Sequence, residues 1–170
     1  MTTPARDGQH DFDFEFGAWS TQLSRLVSPL SGSDEWAAYE GTSVVRPIWD
    51  GLANLVELDV TGETGGIQAL SLRLYDPPTG QWSLHSASAR GGGISPPAIG
   101  RFVDGRAEFV SEETFDGRPI LVRLVISDVT ADSCRFEQAF SADGGKTWEV
   151  NWIAVDSLIP DVGCHVRAPR

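Results

Sequence analysis

Hydrophobic and polar residues alternate along most of this 170-residue chain, in short runs that glycine, proline and aspartate interrupt. In the run 68–75, for example, Leu70, Leu72 and Leu74 alternate with Ser71 and Arg73. A period of two residues is typical of a strand with one buried face. The pattern shows no convincing amphipathic helix and predicts about ten strands, over 14–27, 35–49, 52–60, 68–75, 81–89, 99–103, 107–114, 120–127, 134–141 and 147–155.

The turns between these runs are short. Asp104-Gly105 and Asp116-Gly117 are two-residue connections that suit the twist of a β-hairpin. Consecutive antiparallel strands form a meander, and a long meander avoids open edges by closing on itself. The sequence therefore predicts an all-β fold, an antiparallel meander closed into a barrel of about 8–10 strands, with a sandwich as the alternative. We expect a flexible segment at 1–10, one barrel domain at 11–158 and a tail at 159–170.

Composition narrows the class of protein. Thirteen basic and 24 acidic residues give a net charge of −11, which disfavours nucleic acid as a partner. Six Trp and eight Phe provide area to bury, which excludes a disordered acidic chain. No apolar run is long enough to span a membrane, and residues 1–10 do not resemble a signal peptide. Two cysteines make no disulfide framework, so we expect a cytoplasmic protein.

Aromatic rings and carboxylates alternate in the segment 11–16, directly after His10. The carboxylates and His10 could bind a cation, or they could form a solvated face while the rings plug the barrel. Acids in a row do not converge on one ion, whereas tight cation sites need convergent oxygens. We therefore favour the plug and predict no metal site.

Three motifs follow one another along the chain: Phe-Asp-Phe at 12–14 with Gly17-x-Trp19, Tyr-Asp-Pro-x-Thr-Gly-x-Trp at 75–82, and Ser-x-Asp-Gly-Gly-Lys-Thr-Trp-Glu-x-Asn-Trp at 141–152. Together they resemble the calycin superfamily of lipocalins, fatty-acid-binding proteins and nitrobindin-like proteins, and most closely a group of bacterial calycin-like proteins of unknown function. The resemblance covers residues 11–157 and implies a lipocalin-like barrel with an interior cavity, but no reaction. Related barrels often pack an Arg from the last strand against the first-strand Trp. The last strand here has none, so Arg123 or Arg167 would have to replace it.

The segment 141–148 also matches the Asp-box turn of sialidases and other propellers. Propellers repeat this motif in each blade, and the chain has one copy and no internal repeat. The segment is therefore predicted to be a hairpin turn, in which Asp143 caps backbone amides.

Polar residues in the middle of strands are the candidates for a ligand site. Glu57, Arg73 and His85 fall on three consecutive strands, and side chains on one face of neighbouring strands approach each other. The parity of the strand favours a water-facing position instead, since Leu70, Leu72 and Leu74 form its more apolar side. Gly91-Gly92-Gly93 is predicted to be a loop over the barrel mouth. The predicted ligand-binding residues are Trp49, Glu57, Arg73, Trp82, His85, Arg123, Gln138 and Trp152.

Three functions fit these residues. The first is binding of a small apolar or amphipathic molecule in the barrel cavity. The second is a cofactor-independent isomerase, cyclase or lyase that uses His85 as acid or base with Glu57 or Arg73. The third, implied by the resemblance to nitrobindin-like barrels, is haem binding with His165 or His85 as axial ligand. We expect a small-molecule ligand as partner, neither nucleic acid nor membrane, and a homodimer if the aromatic strand at 36–45 pairs with a second copy.

Overall fold

The structure, a computed structural model, describes residues 7–160 and consists of ten antiparallel strands that close into a barrel. This confirms the all-β prediction and excludes the sandwich. Within the described residues, no helix is long and apolar enough to cross a bilayer. The strands are β1 (Gly17–Leu26), β2 (Trp36–Ile48), β3 (Ala53–Gly62), β4 (Gly65–Asp76), β5 (Gln81–Ser88), β6 (Ala98–Val103), β7 (Arg106–Phe115), β8 (Arg118–Ser127), β9 (Ser133–Ser141) and β10 (Glu149–Leu158).

Each strand pairs with its neighbours in sequence, and β1 pairs with β10 to close the barrel. The closing register sets Thr21 opposite Asp156. A register shift between Val150 and Trp152 marks a bulge on β10, at Asn151. A bulge adds local twist to a strand, which helps a sheet to curve.

One end of the barrel is covered by the chain that precedes β1. Residues Gly8–His10 and Asp13–Glu15 form two 3₁₀ turns across this end. Two buried indoles are anchored to them: Trp82 Nε1 donates to the Gly8 carbonyl at 3.0 Å, and Trp19 Nε1 donates to the Glu15 carbonyl at 2.7 Å. Asp7 and Gly8, which belong to the predicted flexible segment, contact Tyr75 and Trp82 of the barrel.

Phe12 fills the covered end. Its side chain is fully buried, with ring centroids 4.8 Å from Trp82 and 5.0 Å from Phe102, both in edge-on geometry. The interpretation of this segment as a plug is therefore correct for the ring of Phe12. It is wrong for Glu15, which is buried and not on a solvated face. The 3₁₀ turns break the strict alternation that an extended segment would have kept.

The leucines of β4 suggested that their side of the strand faces inward, but the opposite side does. Arg73 points inward and is only 4% exposed, whereas Leu70 on the other face is 39% exposed. A period of two shows that a strand has two faces, but it does not show which one faces inward. Here the inner face meets a buried carboxylate and a cavity, so it carries the polar residues.

The hairpin between β9 and β10 has the predicted Asp-capped turn. Asp143 accepts hydrogen bonds from the amides of Lys146 at 3.0 Å and Thr147 at 2.9 Å, and from the Thr147 hydroxyl at 2.6 Å. These bonds, those of Thr147 above all, lower the pKa of Asp143 to about 2. Arg123 lies over the Trp148 ring at 4.3 Å, on the outside of the barrel. It therefore does not replace the missing arginine against Trp19, and Arg167 falls outside the described residues.

Candidate ligand-binding site

A cavity of about 580 Å³ occupies the barrel interior between the plugged end and the opposite mouth. Gly91, Gly93, Ile94 and Ser95 line its outer part, so the predicted loop does lie at the mouth. Its walls are largely apolar and come from β1 to β5 and from β8 to β10. They include Val56, Leu58, Ile67, Leu124, Phe136 and Trp152.

The inner end of the cavity carries charged groups. Arg73 Nη1 and Nη2 donate to the two carboxylate oxygens of Glu15, the second at 3.4 Å, in a bidentate ion pair that is almost fully buried. The Arg73 guanidinium also lies 4.4 Å from the centroid of the Phe12 ring. Both Glu15 and Arg73 line the cavity, and the plug supplies one of them. This ion pair therefore joins the plug to the barrel wall.

Asp156 is the second buried carboxylate at this end. Its Oδ1 accepts a hydrogen bond from the Thr21 hydroxyl, and Thr21 Oγ1 lies 2.7 Å from Ser43 Oγ. Burial raises the pKa of Asp156 to about 6; the negative charge of Glu15 acts in the same direction, and Thr21 and Arg73 oppose it. We call the set Glu15, Thr21, Ser43, Arg73, Cys134 and Asp156 the floor cluster.

Cys134 completes the floor cluster. Burial raises the pKa of its thiol, and the charges of Glu15 and Asp156 raise it further. One ligating atom of each of Glu15, Cys134 and Asp156 lies within 4.8 Å of the other two. Arg73 already compensates Glu15, however, so the three do not offer the converging anionic oxygens that a hard cation requires. The cluster is better described as the polar end of a ligand cavity.

Three of the predicted ligand-binding residues line this cavity: Arg73, Gln138 and Trp152. Gln138 Nε2 donates to Asn151 Oδ1 at 2.9 Å, next to the bulge on β10. Trp82 is buried in the aromatic core at the plugged end. Whether any of them contacts a ligand stays a prediction.

The other predicted residues lie away from the cavity. Trp49 is 70% exposed in a 3₁₀ turn after β2. Glu57 forms an ion pair with Arg46 on the outer surface, and Arg123 packs on Trp148. His85 Nε2 lies 3.1 Å from Ser83 Oγ, on the face of β5 opposite the buried Trp82 and Leu84. The structure therefore does not bring Glu57 or His85 to Arg73.

Sequence reasoning missed Glu15 and Asp156. Asp156 could have been found, because Trp152, Ala154 and Asp156 share one face of the last strand and Trp152 was predicted to face inward. Glu15 gave no such signal. It reaches the interior only because the 3₁₀ turn at Asp13–Glu15 redirects it.

The haem hypothesis needs an imidazole in the cavity. Among residues 7–160 no histidine lines it: His10 pairs with Asp13 at an exposed site and His85 lies on the outer face. His165 falls outside the described residues. No described histidine is therefore placed to act as the axial ligand in the cavity, and haem binding with His165 as the ligand stays a prediction.

No known family model matches the sequence, and no curated protein matches it either. Solved structures do match its fold. Rv2717c from M. tuberculosis aligns with a TM-score of 0.62 at 11% identity, over 94% of this chain and 100% of that one. The S-type phycobiliprotein lyase CPES from Guillardia theta aligns with a TM-score of 0.57 at 13% identity, over 91% and 94%.

A third structure, EF1p2_mFAP2b bound to DFHBI, aligns with a TM-score of 0.50 at 8% identity, over 89% of this chain and 99% of that one. All three are lipocalin- or calycin-like barrels. This chain has the calycin-like barrel fold. The likeness covers nearly the whole chain, and at these identities it establishes the fold alone. Membership of the bacterial group indicated by the sequence motifs stays a prediction.

Proposed function

We propose that this calycin-like barrel binds one small amphipathic molecule in its interior cavity. The observation that supports the proposal best is the cavity itself: about 580 Å³, closed at one end by a charged floor and lined by apolar side chains toward the mouth. Cavities of this size, with apolar walls and a few polar groups, are typical of sites for small ligands.

The distribution of polarity in the cavity supports an amphipathic ligand over a purely apolar one. Hydrocarbon against the floor would displace water from the polar groups there without supplying hydrogen bonds in its place. A polar head group at the floor can replace those bonds, while an apolar body packs against residues such as Leu58, Phe136 and Trp152. The bound structure of one neighbour, with DFHBI, is consistent with a small-molecule ligand in this fold.

Nile red, an uncharged fluorescent dye, tests whether the cavity accepts an apolar body. We expect saturable binding with one site per chain, a blue-shifted emission and a change in tryptophan fluorescence, because Trp152 lines the cavity. Ala154→Phe puts a ring into the cavity and should weaken binding at least tenfold. Val155→Phe is the matched control, since Val155 is the next residue on β10, faces outward and is 43% exposed.

Non-saturable binding by the wild type, or equal affinity in the Ala154→Phe and Val155→Phe variants, would contradict the proposal. If Ala154→Phe fails to fold, Ser86→Trp provides the same test from a more tolerant position. Ser86 lines the cavity near the mouth and is exposed, so an indole there narrows the entrance without disturbing the core.

A further inference from the structure

The charges of the floor cluster do not balance. The two carboxylates, Glu15 and Asp156, face one guanidinium, Arg73. Arg73 uses Nη1 and Nη2 to hold Glu15, and no ion pair within 4.0 Å to Asp156 occurs among the described residues. With both acids ionised, the floor has a net charge of −1. A buried carboxylate without its own cation is costly, so this position favours a cation from elsewhere.

The hydrogen-bonding capacity of the floor is also unbalanced. Thr21 donates its only proton to Asp156, so the 2.7 Å contact between Thr21 and Ser43 requires Ser43 to donate to Thr21. Both hydroxyl protons are then used, and no other described group donates to the Asp156 carboxylate. The remaining capacity at Asp156 and Ser43 is for accepting. An ammonium group has three donors and no acceptor, which complements these accepting oxygens. The buried Nε of Arg73, a donor without a hydrogen-bond partner among the described residues, would stay unpaired beside it.

The other arginine of the cavity lies at the far end. Arg25 is four residues beyond Thr21 on β1, about 13 Å along the strand, and it is exposed at the mouth. Solvent screens its charge there, while the charge at the floor is largely shielded from water. A ligand with one charged end therefore gains most by placing a positive charge at the floor.

We propose that the ligand of this cavity is an amine whose protonated nitrogen binds to Asp156, with an apolar body that fills the barrel toward the mouth. This inference rests on the proposed function and specifies its ligand class. The ammonium replaces the missing cation of Asp156 and can reach the Ser43 oxygen, while Arg73 keeps its ion pair with Glu15.

The same geometry gives the proposal a pH dependence. Asp156 faces Glu15 from the plug, Arg73 from β4, Cys134 from β9, Thr21 from β1 and Ser43 from β2. Of these groups, Asp156 is the one whose pKa is shifted to about 6. An alkyl amine stays protonated between pH 5 and 7.5. Its affinity should therefore rise by about tenfold over this interval, because with a pKa of about 6 the ionised fraction of Asp156 is about one tenth at pH 5 and nearly complete at pH 7.5.

Three compounds that share a 1-naphthylmethyl group and differ in their head group test the proposal. They are 1-naphthylmethylamine, 1-naphthylmethanol and the carboxylate 1-naphthaleneacetate. Affinities are measured by calorimetry at pH 5 and 7.5, with Nile red displacement as a second readout. At pH 7.5 we expect the amine to bind about tenfold more tightly than the alcohol, and the acetate to bind most weakly. Asp156→Asn should remove both the amine preference and its pH dependence, and should leave alcohol binding intact.

Glu40→Gln is the matched control, since it removes one negative charge from an exposed position on β2 and should leave the amine preference unchanged. Equal or tighter binding of the alcohol or the acetate by the wild type overturns the amine proposal and leaves the proposed function standing. An amine preference that survives in Asp156→Asn also overturns it. If neither Nile red nor any naphthalene compound binds, both proposals fail. If Asp156→Asn does not fold, the wild-type affinities for the three compounds at pH 5 and 7.5 test the amine proposal on their own.

Discussion

Arg73 shows how a single residue connects stability to the cavity. It lies on the inner face of β4, holds Glu15 of the plug and stacks on Phe12 of the same segment. Arginine suits this position because its planar fork can bind a carboxylate with two hydrogen bonds and still present a flat face to an aromatic ring. Outer-surface pairs such as Arg46 with Glu57 have no comparable burial.

Replacing Arg73 by Met should lower the free energy of unfolding by about 3–5 kcal/mol, because it leaves the Glu15 carboxylate buried without a cation. The double variant Glu15→Gln with Arg73→Met should recover most of this loss, since it removes both charges. Urea denaturation at pH 7 measures the difference. Arg46→Met is the control and should change little, because its ion pair with Glu57 is exposed. Equal losses for Arg73→Met and Arg46→Met would contradict this account.

Among the structural elements, the hairpin between β9 and β10 is the one most fully specified by local chemistry. Asp143 binds two backbone amides and two hydroxyls, while Gly144 and Gly145 take positive φ values of 73° and 90°. Left-handed backbone of this kind favours glycine. The turn sets the start of β10, the strand that carries Trp152 and Asp156 into the barrel.

Asp143→Ala should lower the thermal unfolding midpoint by a few degrees and speed amide exchange at Lys146 and Thr147, which lose their acceptor. The pKa of Asp143 falls from 3.8 to about 2 on folding, so its contribution is complete above pH 3.8 and disappears as pH drops toward 2. The difference in thermal unfolding midpoint between the wild type and Asp143→Ala should therefore disappear as the pH is lowered toward 2. Asp34→Ala, in an exposed loop, is the control. A gap that persists at pH 2 would show that the Asp143 charge is unimportant.

For the whole molecule, the barrel encloses groups whose ionisation is unfavourable in the absence of a ligand. Closure of β1 onto β10 sets Thr21 beside Asp156, and the plug adds a second carboxylate at the same end. Functional sites often carry such a cost, since the groups that bind a ligand are not optimised for the free protein.

The pH dependence of stability should reveal this cost. The pKa of Asp156 is raised on folding from 3.8 to about 6, so the folded state binds the proton more tightly and wild-type stability falls as pH rises through this range. A two-unit shift corresponds to about 3 kcal/mol. Asp156→Asn mimics the protonated acid, so it should match the wild type near pH 4 and exceed its stability at pH 7.5, in urea denaturation at both values. A variant less stable than wild type at pH 7.5 would contradict the predicted cost.

The alternation of residues in the sequence was enough to predict ten strands, their order and the closed meander, because period-two runs and Asp-Gly turns are local signals. It also indicated the hairpin at Asp143 and the aromatic plug at Phe12. The strands and turns depend on backbone conformation and on neighbours in sequence, so local patterns reveal them. The contacts of the plug are long-range, since Phe12 packs on Trp82 and Phe102.

Only the tertiary structure decided which face of β4 points inward. Leu70, Leu72 and Leu74 indicated the wrong side of β4, because the inner face carries Arg73 to meet Glu15, 58 positions away in sequence. Asp156 and Thr21 meet only when the barrel closes, 135 positions apart. Strand periodicity therefore determined the architecture. The charged floor of the cavity, which carries the proposed function, depends on long-range pairing and on one turn of 3₁₀ helix that no local pattern reveals.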